Sequence, residues 1–166
     1  MLLIKVIENF YLTFSRIFPP EFAKNLTLFL LNIIYHLNLI KLLSSSNIKN
    51  LSSNELAGII FKNKIGIAGG LDKNAKYFHI FGSLGFGFVE VGTVTLDPQK
   101  GNPKPRLFRF SKDKTLVNAL GFNNVGAVKV LQNIKKYKPK FKGVLGVSIG
   151  KSKTTKLKNA WKDYLH

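Results

Sequence analysis

The feature that most constrains the fold is a series of three short apolar runs, each followed by a loop of small residues. The runs cover residues 65–68, 86–92 and 143–147, and the loops cover 68–73, 92–95 and 148–151. Small residues let a backbone approach a flat or phosphorylated ligand, and the lysines of the first and third loops supply charge for its anion. Because βα barrels bind ligands at the carboxyl ends of their strands, the series predicts a site for a phosphate-bearing cofactor.

The segments between these runs have helical periodicity. A helix is predicted over 74–84, and a clearer one follows a proline-rich loop, with apolar residues at Ala127, Val130, Leu131, Ile134 and Tyr137. Residues 59–61, with Asn63 as a turn residue, predict a hairpin with 65–68. The order of strand, helix, strand, long loop, helix and strand indicates parallel βα units. We therefore expect an α/β fold, namely the first three βα units of a partial (β/α)₈ TIM barrel.

The amino-terminal segment predicts a helical hairpin ahead of this barrel. Its two helices cover residues 2–17 and 21–37, and both carry a wide apolar face. Neither supplies the ~20 apolar residues that a bilayer span needs. The face either lies on a membrane or over a hydrophobic tunnel, or it packs on the rest of the protein. The predicted organisation is a helical segment over 1–43, a linker over 44–58 and the βα units over 59–166.

Length and composition limit the possible functions. A complete barrel typically needs about 250 residues, and this chain has 166 and ends on what reads as the opening of a helix, so we expect an incomplete domain. The net charge of +18 favours acidic partners, but only three basic residues are arginine, which favours a solvated lysine surface. The chain has no cysteine, and His36, His79 and His166 are scattered, so no metal site is expected.

Two nucleotide-binding motifs fail on spacing. The dinucleotide fingerprint needs a glycine at position 90, where this chain has Glu90. The P-loop needs a glycine at position 145, where this chain has Leu145. Polar residues instead concentrate at Asp72 and Lys73, at Thr93 and in the run 116–123. A buried lysine pairs with an anionic ring or phosphate, and an asparagine amide suits an amide-bearing heterocycle.

Taken in order, these motifs resemble the dihydroorotate dehydrogenase family, whose members use FMN in pyrimidine synthesis. The matching runs are 61–63, 67–73, 90–95, 101–109, Asn118 with 121–123, and 143–146 with 150–151. The hairpin before them is similar to the amino-terminal extension of the quinone-dependent, membrane-associated class. The resemblance covers nearly the whole chain and corresponds to the amino-terminal half of the family's sequence.

The resemblance implies a role for particular residues. FMN would be bound by Ala68, Gly69, Gly70, Leu71, Asp72, Lys73, Thr93 and Ser148. Dihydroorotate or orotate would be bound by Lys73 and by the loop residues Asn118, Ala119, Leu120, Gly121 and Phe122. Arg109 would stand on the quinone side of the flavin, and the amino-terminal helices would form the mouth of the quinone tunnel. The reaction implied is oxidation of dihydroorotate to orotate, with electrons passing through FMN to a membrane quinone.

Three residues depart from the family pattern. Ser148 stands where the family usually has asparagine, Ala119 where it has arginine, and Lys64 where it has proline. The resemblance also implies that the catalytic base, a serine in this class, lies beyond His166. We therefore assign no catalytic residue in this chain and expect the chain alone to be inactive.

Two other readings stay open from the sequence. One is another FMN barrel acting on pyrimidines, such as a tRNA dihydrouridine synthase, although the amino-terminal hairpin and the 118–122 loop speak against it. The other is a basic, membrane-adherent remnant without flavin. The main reading predicts a peripheral membrane protein on the cytoplasmic face of a bacterial inner membrane, with no nucleic-acid partner.

Overall fold

A computed structural model of the chain describes Thr13 and residues 17–43 and 52–165. The predicted helix over 2–17 and most of the predicted linker lie outside the described residues. Helix α1, Pro20–His36, confirms the second predicted helix. Its proline occupies the first helical position and Glu21 the first turn, where proline and acidic residues are both favoured. A short helix α2, Ile40–Leu43, follows.

A parallel three-stranded sheet forms the centre of the βα region. Its strands are β3 (Gly66–Ile67), β4 (Phe88–Val94) and β7 (Val144–Ile149), in the order β3-β4-β7. Gly66 pairs with Phe88, and Phe88 pairs in turn with Val144. The three apolar runs thus form the predicted strands, although β4 and β7 extend two residues further into their loops than expected. Val89, Val91 and Val94 of β4 are buried in the core.

Two helices cover this sheet. Helix α3, Phe78–Leu84, contributes buried Phe78, Ile80 and Phe81, and the ring of Phe78 meets Phe141 edge to face at 5.4 Å. Helix α4, Ala127–Tyr137, confirms the clearest predicted helix and continues into a 3₁₀ turn, Lys138–Lys140. Helix α3 ends in a left-handed glycine, Gly85, with φ of 110°.

Helix α3 starts four residues later than predicted. The carboxylate of Asp72 accepts hydrogen bonds from the backbone N–H groups of Lys76, Tyr77 and Phe78. Ala75, in the same segment, has a left-handed φ of 53° that helical backbone does not adopt. Residues 74–77 therefore form a turn around a buried carboxylate rather than the first turn of a helix.

The predicted hairpin between 59–61 and 65–68 is wrong. Strand β1, Asn54–Leu56, pairs antiparallel with β2, Ile59–Phe61. The two residues between them, Ala57 and Gly58, have φ of 51° and 74°. Two positive φ values in a two-residue loop are typical of the mirror-image turns that match the twist of a hairpin. Because this turn joins β1 to β2, β2 pairs with the strand before it rather than with residues 65–68.

Asn63 connects the residues just before β3 with those just before β4 through its side-chain hydrogen bonds. Its amide oxygen accepts hydrogen bonds from the backbone N–H groups of Ile65 and Gly87, and its amide nitrogen donates to the carbonyl of Gly85. The predicted turn residue is therefore a buried connector between segments 20 or more residues apart. Sequence reasoning assigned it a local role because its partners are distant along the chain.

A second hairpin lies inside the segment predicted as a long loop. Strand β5, Leu107–Phe110, pairs antiparallel with β6, Thr115–Asn118. The turn between them includes Lys114, whose φ is 49°. After β7, a 3₁₀ turn, Leu157–Asn159, leads into the short helix α5, Ala160–Tyr164.

The described residues fall into two compact units. One comprises the chain up to Leu30 together with Asn102–Leu120, and the other comprises Leu31–Gly101 with Gly121–His166. The first unit contains the start of α1 and the β5–β6 hairpin. The second contains the parallel sheet and its covering helices. The segment boundaries at residues 43 and 58 stay a prediction.

Candidate functional site

The carboxyl ends of β3 and β4 are joined by backbone hydrogen bonds in the second unit. Gly70 donates its N–H to the carbonyl of Gly92 at 2.7 Å, and Gly92 donates to the carbonyl of Asp72 at 3.1 Å. Gly70 and Gly92 have φ of 101° and 110°, and a Cβ on Gly92 would lie 2.4 Å from the carbonyl oxygen of Ser148. Only glycine fits at position 92, which lets the loops after all three strands approach one another.

Asp72 is a structural residue of this turn. It is buried, and burial raises the pKa of its carboxyl, while hydrogen bonds from the backbone N–H groups of Tyr77, Lys76 and Phe78 act in the opposite direction. Three donors within 2.9 Å hold the charged form in place. The carboxylate thereby fixes the path of the chain from the glycine turn into α3, which sets the position of its neighbour Lys73.

Lys73 points its ammonium group at a side chain 50 residues away. Its Nζ donates to Oδ1 of Asn123 at 2.8 Å, and the residue is only 9% exposed. Lysine is rarely buried unless it has partners, because the charge loses its hydration. The structure thus brings together two polar residues that the sequence singled out in separate motifs, at the end of β3 and in the segment before α4.

Thr93 and Ser148 meet across the neighbouring ends of β4 and β7. Their hydroxyl oxygens lie 3.0 Å apart and form a hydrogen bond. The peptide bond between Gly92 and Thr93 is cis. Two adjoining hydroxyls can each donate and accept, so this pair offers hydrogen bonds to heteroatoms of either kind. The departure at Ser148 therefore leaves a polar group in place beside Thr93.

Asn124 is a structural residue to which the sequence analysis assigns no role. Its amide nitrogen donates to the hydroxyl of Thr95 and to the carbonyl of Phe122, and its oxygen accepts from the N–H of Gly126. Asn124 and Thr95 are both buried. This network attaches the segment carrying Gly121, Phe122 and Asn123 to the end of β4. The signal in the sequence is a second asparagine directly after Asn123.

The third loop is held by its own contacts. Lys151 donates its ammonium group to the carbonyls of Ser152 and Thr155. The Asp163 carboxylate accepts from the N–H of Ser152 and the hydroxyl of Thr155, and the first of these hydrogen bonds lowers the pKa of Asp163 most strongly. Lys151, which the sequence predicted to supply charge for a ligand, thus forms hydrogen bonds within its own loop.

The predicted site residues Asn118, Ala119, Leu120 and Arg109 lie in the first unit, whereas Ala68, Gly69 and Leu71 lie in the second, with the glycine turn. Asn118 ends β6, and its side-chain oxygen accepts from the N–H of Leu120. Ala119 donates its N–H to the carbonyl of Arg106 and accepts from the amide of Asn102. Arg109 lies in β5, paired with Leu116. These contacts give the segment 118–120 a defined backbone.

A buried ion pair, missed from the sequence, organises the first unit. Arg106 binds the Glu21 carboxylate of α1 through two guanidinium nitrogens, the shorter contact being 2.7 Å. The hydrogen bond from Arg106 lowers the pKa of Glu21. The same guanidinium donates to the carbonyl of Asn102. It therefore fixes the chain just before β5 to the first turn of α1.

The described residues contain no group of three or more histidine, aspartate or glutamate side chains arranged to hold a metal ion. No helix among them is both long and apolar enough to cross a membrane.

Comparison with known proteins identifies the family to which the chain belongs. The family model described as dihydroorotate dehydrogenase matches residues 51–166. The chain belongs to the dihydroorotate dehydrogenase family. It is 46% identical over 145 residues to the dihydroorotate dehydrogenase (quinone) of Neisseria meningitidis, and 46% identical over 148 residues to that of Buchnera aphidicola. The resemblance that the sequence motifs indicated is thus confirmed.

Solved structures agree with this assignment. A crystal structure of the Eimeria tenella dihydroorotate dehydrogenase in complex with ferulenol matches with a TM-score of 0.75 and 38% identity. The match covers 87% of this chain and 39% of that one. The fold is therefore an α/β fold of the dihydroorotate dehydrogenase type. Against the Neisseria and Buchnera relatives the chain spans 42% of their length.

Proposed function

We propose that this chain supplies the FMN- and pyrimidine-binding strands of a quinone-dependent dihydroorotate dehydrogenase. Its three parallel strands would be the first three of a (β/α)₈ barrel, preceded by an amino-terminal helical hairpin. The observation that carries the proposal is Lys73, a buried lysine held by Asn123 at the end of a glycine turn. Both residues lie within the segment that matches the family.

The residues at the strand ends fit a flavin phosphate and ring. A Cβ on Gly70 would meet no atom within 4 Å, so its backbone faces open space beside the glycine turn. Lys73 offers a cation, and the Thr93–Ser148 pair offers hydroxyls. Such a set of donors suits the anionic and heteroatom-rich edges of FMN. When bound, FMN would supply the acceptor for the hydride that leaves dihydroorotate.

The chain's own residues would bind and orient the substrate. Lys73 would donate to the carboxylate or ring oxygens of dihydroorotate, and Asn123 would restrict the ammonium group to one position. The amide of Asn118 would pair with the pyrimidine ring, with Ala119, Leu120, Gly121 and Phe122 completing the loop. No residue of the chain is assigned the proton-abstracting role.

The amino-terminal segment over 1–43 would serve the quinone. In the first unit, Ile17, Phe22 and Phe29 are exposed, and in the second unit Leu37, Leu39 and Leu42 are exposed. Exposed apolar groups on helical segments are suited to the surface of a bilayer. We propose peripheral attachment to a membrane, with Arg109 on the quinone side of the flavin.

The test is flavin binding by the purified chain. FMN is titrated while its fluorescence is followed, and addition of orotate is then monitored by the change in the flavin absorption spectrum. Lys73→Ala should raise the Kd for FMN by about tenfold or more, because a hydrogen bond from a charged group contributes about 1.5–3 kcal/mol. The matched control is Lys76→Ala, which removes the same charge from an exposed side chain three residues away.

Equal losses of affinity in the two variants would contradict the assignment of Lys73, since they would indicate a general charge effect. Absence of FMN binding by the unsubstituted chain would contradict the proposed function itself.

A further inference from the structure

A crevice lined by lysines lies in the second unit, away from the candidate cofactor site. It consists of two cavities, of about 410 and 610 Å³, that share Ser83 and Lys140 in their linings. We call it the basic crevice. Cavities of this size accommodate small ligands, which generally occupy about 300–1,000 Å³.

The walls of the basic crevice contain several lysines and no acidic side chain. Lys62, Lys140 and Lys142 line the first cavity, and Lys41 and His36 line the second. Neither lining contains an aspartate or a glutamate. Lysine ammonium groups on several sides of a concave surface form a strong local potential for anions, because low-dielectric walls focus the field.

The same charges act on a buried histidine next to the basic crevice. The pKa of the buried His79 is lowered to about 4, first by burial and then by the charges of Lys140 and His36. Both of those residues line the basic crevice. A cation at His79 is thus disfavoured by the same charges that would attract an anion.

The location separates the basic crevice from the flavin-binding end of the strands. Lys62 precedes β3, Phe86 precedes β4 and Lys142 precedes β7, and all three line the first cavity. The glycine turn and the Thr93–Ser148 pair lie at the opposite, carboxyl ends of the same strands. A ligand in the crevice would therefore not compete with FMN.

We propose that the basic crevice binds a phosphorylated anion carrying two or more phosphoryl groups. Lys62, Lys140 and Lys142 of the first cavity together exceed the charge of one phosphate group, which is at most −2, and lysine binds phosphate as a compact point charge. Ser83 lines both cavities, and its hydroxyl donates to the carbonyl of His79, so the lysines are the groups that would bind the phosphoryl oxygens. The phosphoryl groups belong either to a soluble diphosphate or to lipid headgroups.

The experiment measures binding of inorganic pyrophosphate by calorimetry at about 0.15 M salt, where long-range attraction is largely screened. The double variant Lys62→Gln/Lys140→Gln removes two charges from the crevice. The matched control Lys153→Gln/Lys158→Gln removes two charges from exposed lysines after β7. The unfolding midpoint of each double variant is measured and compared with that of the unsubstituted chain, to establish that both variants are folded. In parallel, each protein is mixed with phosphatidylcholine vesicles containing phosphatidic acid.

The Kd for pyrophosphate should rise by about tenfold or more in the crevice variant and by less than about twofold in the control, since two charged contacts are lost only in the first. Such a difference with pyrophosphate identifies a soluble ligand, and the same difference confined to vesicles identifies a lipid headgroup. Equal losses in both variants, or no binding of either probe, would overturn the proposal.

Discussion

Adjacent residues in the glycine turn have different roles. Asp72 and Lys73 stand out together in the sequence because both are charged and follow a predicted strand. In the structure, Asp72 turns inward and accepts three backbone N–H groups, while Lys73 reaches Asn123. Sequence position alone cannot separate these roles, because they depend on which way each side chain leaves the turn.

Replacing Asp72 tests this structural role. Asp72→Ala should lower the free energy of unfolding by about 3 kcal/mol, because buried N–H groups left without an acceptor each cost about 1–3 kcal/mol and the turn can relax in part. Urea denaturation followed by circular dichroism measures the change. Asp113→Ala, at an exposed position between β5 and β6, is the control and should change stability little. A similar small change at Asp72 would show that its hydrogen bonds are not needed to hold the turn.

Among the elements, helix α3 is held by aromatic contacts around one histidine. His79 is 1% exposed, stacks on Tyr137 of α4 with centroids 4.4 Å apart, and meets Tyr35 of α1 edge to face at 4.9 Å. Neither of its ring nitrogens has a hydrogen-bond partner. Burial, and after it the nearby charges of Lys140 and His36, lowers the pKa of His79 and so favours the neutral imidazole. The sequence offered only a scattered histidine, since its neighbours come from three elements.

This packing predicts acid sensitivity. A histidine whose native pKa is about 4 rather than 6.5 stays neutral in the folded protein while the unfolded chain takes up a proton. Stability is therefore full above pH 6.5 and falls as the pH drops towards 4, by about 3 kcal/mol in total. Chemical denaturation at a series of pH values measures it for the unsubstituted chain and for His79→Phe.

His79→Phe keeps an aromatic ring that does not titrate, so the difference in stability between the two proteins should change across this pH interval. Lys158→Gln serves as the control, since Lys158 is exposed and does not belong to the buried stack, so its pH profile should follow that of the unsubstituted chain. Parallel pH profiles for the unsubstituted chain and His79→Phe would contradict the attribution of the acid sensitivity to His79.

At the scale of the whole molecule, the parallel sheet has an edge strand with apolar side chains in solvent. Among the described strands, β7 pairs only with β4, and its Val147 and Ile149 are 44% and 61% exposed. An unpaired edge of this kind can template association with another chain.

A charged residue on this edge should reduce self-association. Ile149→Lys is expected to lower the aggregation rate several-fold, because lysine on an edge strand disfavours pairing with a second strand. Light scattering at a series of protein concentrations measures the rate. Leu157→Lys removes a residue that is 83% exposed but lies in a 3₁₀ turn, so it should have a smaller effect. Equal effects would attribute the aggregation to general hydrophobicity rather than to the strand edge.

The sequence by itself determined the three βα strands, helices α1 and α4, and the residues that attach this chain to its family. These features follow from local periodicity and from short motifs, which a linear pattern records directly. The tertiary structure decided what the linear pattern does not record: the β1–β2 and β5–β6 pairings, the inward turn of Asp72, the Lys73–Asn123 contact and the aromatic stack on His79. The Lys73–Asn123 contact joins residues 50 positions apart, and His79 meets Tyr35 and Tyr137, which lie 44 and 58 positions away, so no local pattern specifies these contacts. The hairpins and the Asp72 turn are local, but they depend on positive φ values and on burial that the apolar pattern does not record.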